Sequence, residues 1–199
     1  VDLSGDANPL HTDPLAARRL PFGQVAVHGV HLALLALDHM AADGTTPSRV
    51  RATFRHPVGI GDAVDLTVDA GTCRLTMGGR AVADVRADPG GRSPAGPDRE
   101  FPLLGPAHPP TDLRFDQIDG LTGSILVAGD AVEIAARFPH LPVVVAAELL
   151  AVTRLVGMHV PGLHSMLSSF DLTLDDGGDG TDLALSYRVT SVDDRFSKV

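Results

Sequence analysis

An acidic and a basic side chain stand close together near the start of the chain, where residues 4–11 read SGDANPLH. On an α-helix, two side chains five residues apart in sequence point about 140° away from each other, so a helix would direct Asp6 and His11 to different faces. Asn8 precedes Pro9, and a residue before proline prefers extended geometry. We therefore predict a tight turn, which Asn8 can hold by bonding to nearby backbone. A carboxylate and an imidazole facing one water would suit proton transfer to or from a hydroxyl. The plainer alternative is that Asp6 caps a turn and His11 a helix.

His28 and Gly29 stand directly before a long apolar stretch that ends at about Ala42. A segment that is apolar on most faces is typical of a helix surrounded by other structure. The first N–H groups of a helix have no partner within it and carry the positive end of its dipole, so they suit a developing oxyanion. With Asp6 and His11, this helix start gives the groups needed to add water to a double bond conjugated with a thioester, or to remove it.

Composition excludes several classes of function. The 199-residue chain is 44% hydrophobic and carries a net charge of −9, which predicts a folded protein that does not bind nucleic acid. The single cysteine, Cys73, excludes a disulfide framework and is expected to be buried and inert. The apolar runs are too short to cross a bilayer, so we expect no membrane association and a cytoplasmic location. We predict no metal, because no ligand-spaced histidine pair is backed by a carboxylate cluster. We also predict no cofactor.

The first half of the chain has the pattern of an α+β fold. A helix is predicted within residues 12–20, broken at 22–24, and the apolar helix covers 29–42. The pattern then changes to a period of two, typical of strands. Strands are predicted around residues 49–55, 64–68, 73–77 and 81–85, with turns at 57–62 and at Gly78-Gly79.

The second half repeats this pattern after a segment rich in proline and glycine. Helices are predicted at 129–138 and 143–158, and strands at 167–172 and 183–189. Aligning Phe54 with Phe170 gives a repeat period of about 116 residues. We therefore predict three segments: a unit over 1–87 that carries the site, a linker or covering loop over 88–112, and a second unit over 113–199.

The motif residues resemble a known family. Asp6, Asn8, Pro9 and His11, followed by Phe22-Gly23 and Val27-His28-Gly29, closely resemble the hydratase 2 motif of MaoC-like proteins, the R-specific enoyl-CoA hydratases. Residues 49–87 match that family in pattern only. The resemblance implies a hotdog fold, in which an antiparallel sheet wraps around a long buried helix and two units pair to make the site. It also implies that Asp6 and His11 activate and deliver water and that the Gly29 N–H polarises the thioester carbonyl, with His28 and Asn8 as positioning residues.

Two features depart from the family pattern. Many members have a serine some two turns into the buried helix, where this sequence has Leu37 or a neighbour. The second unit has no Asp-x-Asn-Pro-x-His motif, so we expect it to be a degenerate partner; its histidines His159 and His164 follow a helix rather than precede one. We also expect the chain to be a piece of a longer protein, with elements missing at both ends.

The leading hypothesis is a lyase that reversibly hydrates enoyl thioesters to R-3-hydroxyacyl thioesters. The acyl carrier would be coenzyme A or an acyl carrier protein, in fatty acid or polyketide metabolism. The alternatives are a hotdog thioesterase and a non-catalytic double hotdog that binds acyl thioesters or acts as a scaffold. Intramolecular pairing of the two units is expected to take the place of the usual homodimer, although a homodimer stays possible as well.

Overall fold

Two short helices open the chain and carry the candidate site. The structure, a computed structural model, describes residues 2–19, 23–42, 46–90, 101–163, 165–174 and 183–193. Helix α1 spans Pro9–Thr12 and α2 spans Pro14–Ala17. Asn8 caps α1 and Asp13 caps α2, each side chain accepting a hydrogen bond from the N–H two residues on. The helix predicted within residues 12–20 is confirmed as α2, with Asp13 as its cap and Pro14 in its first turn, although it ends earlier than predicted. Helix α1, which precedes it, was not predicted. Phe22 lies outside the described residues.

The apolar helix of the first half packs against an antiparallel sheet. Helix α3, Gly29–Ala41, is followed by four strands: β1 Pro47–Phe54, β2 Asp65–Asp69, β3 Thr72–Met77 and β4 Arg80–Pro89. All four predicted strands are confirmed to within a few residues. Gly78 and Gly79, at φ +57° and +80°, make the predicted hairpin turn between β3 and β4, a conformation that glycine adopts without strain.

The second half contributes to the same sheet. Its elements are α4 Phe115–Ile118, β5 Thr122–Leu126, α5 Ala131–Arg137, α6 Val143–Arg154, β6 Ser169–Thr173 and β7 Ala184–Arg188. Strand β6 pairs antiparallel with β1, placing Ala52 opposite Phe170, so the sheet runs β2-β3-β4-β1-β6. Strands β5 and β7 form a separate antiparallel pair. Strand β5 and α4 were missed by the sequence reading, because neither has a clear apolar period.

The predicted helix over 143–158 changes character near its end. Helix α6 ends at Arg154 and continues as one π-helical turn, Leu155–His159. Single π turns of this kind widen a helix and are frequent at functional sites. This turn contains Gly157, which faces the candidate site.

One hydrophobic core joins the two halves. Residues of α3, β4 and α6, including Leu34, Val85 and Leu149, are buried in a single cluster. The predicted α+β class with an antiparallel sheet is confirmed. The division at residues 87 and 112 stays a prediction: 101–112 contains no helix or strand, and 91–100 lie outside the described residues. None of the described helices is long and apolar enough to span a membrane.

Candidate active site

The predicted turn at the start of the chain is present and is held by its own side chains. The Asp6 N–H donates to Ser4 Oγ at 3.1 Å, and the Asn8 N–H donates to Asp6 Oδ1 at 3.1 Å. Gly5 lies at φ +68°, which favours glycine. We expected Asn8 and Pro9 to exclude a helix from this stretch. Instead they begin α1, which carries His11. Asp6 precedes that helix, so the two side chains do not share a helix face.

Asp6 is the most deeply buried acidic group of the site, with 1% of its surface exposed. Its Oδ2 atom accepts a hydrogen bond from Thr153 Oγ1 at 2.8 Å and lies 3.4 Å from His28 Nε2. Burial by itself would raise the pKa of this carboxyl. The His28 hydrogen bond and charge, with hydrogen bonds from Thr153 and the Asn8 N–H, outweigh burial and lower the pKa of Asp6 below its ordinary value. Asp6 is therefore an ionised carboxylate in a nearly dry setting.

His11 is positioned as a neutral imidazole. Its Nδ1 lies 2.8 Å from the carbonyl oxygen of Ala26, and since a carbonyl only accepts, Nδ1 carries the proton. The other nitrogen, Nε2, then has a free lone pair, as a general base requires. Burial, with repulsion from the stacked His28 ring at a centroid distance of 3.7 Å, lowers the pKa of His11 to about 4. His11 is thus an uncharged imidazole throughout the neutral pH range.

His28 connects the helix start to the acid. It is the N-cap of α3, and its Nε2 lies 3.3 Å from the Asp6 carbonyl oxygen as well as near the Asp6 carboxylate. Both neighbours are acceptors, so Nε2 carries a proton. His28 therefore acts on Asp6 directly, while its ring supports that of His11.

Asp6, His11 and His28 form a compact donor cluster. One ligand-type atom from each lies within 4.8 Å of the others, which is close enough to hold a metal ion. The same spacing suits a water, because two hydrogen bonds of about 2.8 Å meeting at a tetrahedral oxygen span roughly 4.6 Å. The predicted absence of a metal stays a prediction.

Gly29 faces the same cleft from the start of α3. The cleft measures about 850 Å³ with its open mouth, and its lining includes Asp6, His11 and Gly29. As the first residue of α3, Gly29 has an N–H that no helical carbonyl can reach. A Cβ at Gly29 would lie 3.1 Å from the Phe54 ring, so glycine fits where the strand side chain approaches the helix end.

The rest of the lining is mostly apolar. Leu32, Val156 and Leu167 belong to this part, and Arg55 and His56 also reach the cleft. Such a cleft suits an apolar chain bound beside a few convergent polar groups.

The second half closes the site from the other side. The side-chain amide of Asn8 donates to the carbonyl oxygens of Gly157 at 3.2 Å and Gly162 at 3.3 Å. A Cβ on Gly157 would lie 2.3 Å from Asp6 Oδ1, so the carboxylate occupies the space that glycine leaves. Thr153 and Gly157 were not found by sequence reasoning. The one available signal was a threonine and a glycine four residues apart on a mostly apolar helix.

Residues 2–84 match the sequence profile described as the MaoC like domain. This segment is a MaoC-like dehydratase domain. It contains Asp6, His11, His28 and Gly29, whereas Thr153 and Gly157 lie outside it.

The chain is also similar to a curated protein and to two solved structures. The 3-hydroxybutyryl-CoA dehydratase of Methylorubrum extorquens is 30% identical over 102 aligned positions, covering 44% of this chain and 65% of that protein. The chain thus spans just under two thirds of that curated relative. A solved structure titled "MaoC-like dehydratase" is 15% identical, superposes with a TM-score of 0.56, and covers 96% of this chain and 82% of its own. An (R)-hydratase from A. caviae involved in PHA biosynthesis is 29% identical, with coverages of 42% and 76% and a TM-score of 0.35.

The MaoC-like fold is therefore confirmed, whereas the presence of two complete hotdog units stays a prediction. Leu37 is buried in the core and is not among the residues that line the cleft. Cys73 is buried as expected, and burial raises the pKa of its thiol. His159 contacts the ring of His108, and His164 lies outside the described residues.

Proposed function

We propose that this protein reversibly hydrates trans-2-enoyl thioesters to R-3-hydroxyacyl thioesters. The observation that carries the proposal is the placement of Asp6 and His11 within the span of one water, beside Gly29 in one apolar cleft. The relative named 3-hydroxybutyryl-CoA dehydratase supports a substrate of this class.

The hydration would begin with a water held between Asp6 and His11. His11 Nε2 takes a proton from the water as its oxygen bonds to the β-carbon of the enoyl group. The negative charge that develops on the thioester oxygen is stabilised by the Gly29 N–H and the positive end of α3. His11 then returns the proton, which adds to the α-carbon, so one water is consumed and both side chains are restored. No cofactor takes part in these reaction steps.

A single stereoisomer is expected because the catalytic groups are fixed. Asp6 and His11 hold the water on one side of the substrate, while Gly29 holds the thioester oxygen in place. Water therefore reaches one face of the planar enoyl group. The R hand is taken from the resemblance of the motif to the hydratase 2 family.

The substrate carrier would remain at the mouth of the cleft. Arg55 and His56 reach the cleft, and Arg55 is half exposed while it pairs with Asp84 at 2.6 Å. We propose coenzyme A or an acyl carrier protein as the carrier, since both end in the same phosphopantetheine thioester. We place the reaction in the cytoplasm, where the buried thiol of Cys73 would stay reduced.

We also propose that the chain is built of two hotdog-like units, 1–87 and 113–199, of which only the first carries a site. Helix α6 packs on α3, and β6 pairs with β1 in an antiparallel register. Arg49 and Asp171 add a bidentate ion pair between these strands, with distances of 2.7 and 2.5 Å. This internal pairing would take the place of the homodimer in which two single hotdog units pair. A homodimer of the whole chain would be a further level of assembly.

The test uses crotonyl-CoA with the wild-type protein and the Asp6→Asn and His11→Asn variants. Loss of the absorbance of the conjugated enoyl thioester reports hydration, and a thiol reagent reports thioester cleavage. The wild type should hydrate the substrate without releasing thiol. Both variants should lose activity by about 100-fold or more, because a positioned acid or base contributes on that order. Release of free thiol alone would indicate a thioesterase. Binding of enoyl thioesters of every chain length without turnover would indicate a scaffold; either result overturns the proposal.

A further inference from the structure

A hydroxyl from the second half of the chain reaches the catalytic carboxylate. Thr153, in the last turn of α6, donates from Oγ1 to Asp6 Oδ2 at 2.8 Å, across 147 residues of sequence. Both residues are buried, with 6% and 1% of their surface exposed. A helical threonine commonly donates to a carbonyl of its own preceding turn. Here the donor is directed to the acid instead.

The two oxygens of Asp6 are held in different ways. Oδ1 accepts the Asn8 N–H from within the turn, a contact that the first half makes alone. Oδ2 faces Thr153 at 2.8 Å and His28 at 3.4 Å, so the shorter contact comes from the second half. Gly157, four residues after Thr153, leaves the space that the carboxylate fills. Helix α6 and the turn after it therefore provide both a donor and a fitted space for Asp6.

We propose that Thr153 is a positioning residue for the hydration, its hydroxyl orienting the Asp6 carboxylate toward the water and favouring its ionised form. This inference rests on the proposed function. It makes the end of the second buried helix part of the active site, although it lies outside the segment that matches the family profile.

The proposal has a signature in the pH dependence. A hydrogen bond to a carboxylate favours the charged form, so removing it raises the pKa of that group. The charged or titratable groups around Asp6 are His28 at the start of α3 and His11 on α1. On α6, Arg154 directs its guanidinium to the carbonyls of Leu126 and Ala128. These groups are unchanged when only the hydroxyl of Thr153 is removed. The acid limb of the pH profile of kcat/KM should therefore move to higher pH, as the pKa of Asp6 rises.

The experiment compares Thr153→Val, which keeps the shape but removes the hydroxyl, with Thr153→Ser, which keeps the hydroxyl. Two quantities are measured: kcat/KM for crotonyl-CoA as a function of pH, and the titration of the Asp6 carboxyl carbon by NMR. The NMR signal is assigned as the one missing from Asp6→Asn, and circular dichroism checks that each variant is folded.

We expect Thr153→Val to lower kcat/KM about tenfold near neutral pH, in line with the loss of one hydrogen bond to a charged group. Its acid limb and its Asp6 titration should both move to higher pH, and Thr153→Ser should restore both toward wild type. Wild-type behaviour of Thr153→Val would overturn the proposal, as would an equal defect in the serine variant. If the wild type hydrates no enoyl thioester, the proposed function fails. The NMR titration alone then decides whether Thr153 sets the ionisation of Asp6.

Discussion

A single methyl group added at Gly157 should disable the site without unfolding the protein. Alanine at this position would place Cβ 2.3 Å from Asp6 Oδ1, 2.4 Å from Oδ2 and 2.6 Å from Cγ. Ordinary contacts of a Cβ begin near 3.4 Å, so the carboxylate has to move by about 1 Å. The turn carrying Asp6 is tied to the same segment through Asn8, which leaves the side chain little room to move as a unit.

The expected loss follows from this displacement. A misplacement of about 1 Å in a catalytic constellation costs on the order of 100-fold in rate, and overpacking a buried position costs about 1–3 kcal/mol of folding free energy. Gly157→Ala should therefore lower kcat/KM for crotonyl-CoA about 100-fold, while its melting temperature falls by roughly 2–12 °C. Both quantities are measured on the same preparation, by enoyl absorbance and by thermal unfolding.

Gly105→Ala is the matched control, because a Cβ at Gly105 meets no atom within 4 Å. It should retain wild-type activity and stability. A folded Gly157→Ala variant with wild-type kcat/KM would refute the placement of Asp6 against the second half of the chain.

Three further outcomes are expected. Asn8→Ala removes the cap of α1 and both hydrogen bonds to the Gly157 and Gly162 carbonyls. The free energy of unfolding in urea should therefore fall by roughly 2 kcal/mol, and an unchanged value would contradict a stabilising role of Asn8. Burial lowers the pKa of His11, and of His31 in the first turn of α3, to about 4, so the unfolded chain takes up protons that the folded protein does not. The free energy of unfolding should therefore decrease as pH falls from about 6.5 to 4, by at most about 3 kcal/mol for each histidine, and a flat profile in this window would contradict the burial of these rings. Treatment with a chelator should leave kcat/KM unchanged, since the proposed mechanism uses no metal. A loss restored by added zinc would show that Asp6, His11 and His28 hold an ion.

Much of the first half could be predicted because its signals are local. Alternation of apolar and polar residues identified all four strands, and the continuous apolar stretch identified α3. Asp6, His11 and Gly29 were found because a short, specific motif holds them within a few dozen residues.

The contribution of the second half could not be predicted, because it depends on packing between distant segments. Nothing in the sequence around Thr153 or Gly157 indicates that Asp6 lies against them, since that contact spans about 150 residues of sequence. The same holds for the pairing of β6 with β1, which the alternation of β6 allows but does not specify. Helix α1 was not predicted, because Asn8-Pro9 was interpreted as a helix breaker although the same pair can begin a helix.

The central claim is that one water, held between Asp6 and His11, is added to an enoyl thioester. The most direct test is incubation of crotonyl-CoA with the protein in water labelled with heavy oxygen, followed by chiral analysis and mass spectrometry of the product. We expect R-3-hydroxybutyryl-CoA that carries the label on the β-carbon hydroxyl, formed by the wild type and almost absent with Asp6→Asn or His11→Asn. Labelled free acid without a labelled hydroxyl, or equal labelling by wild type and variants, would contradict it.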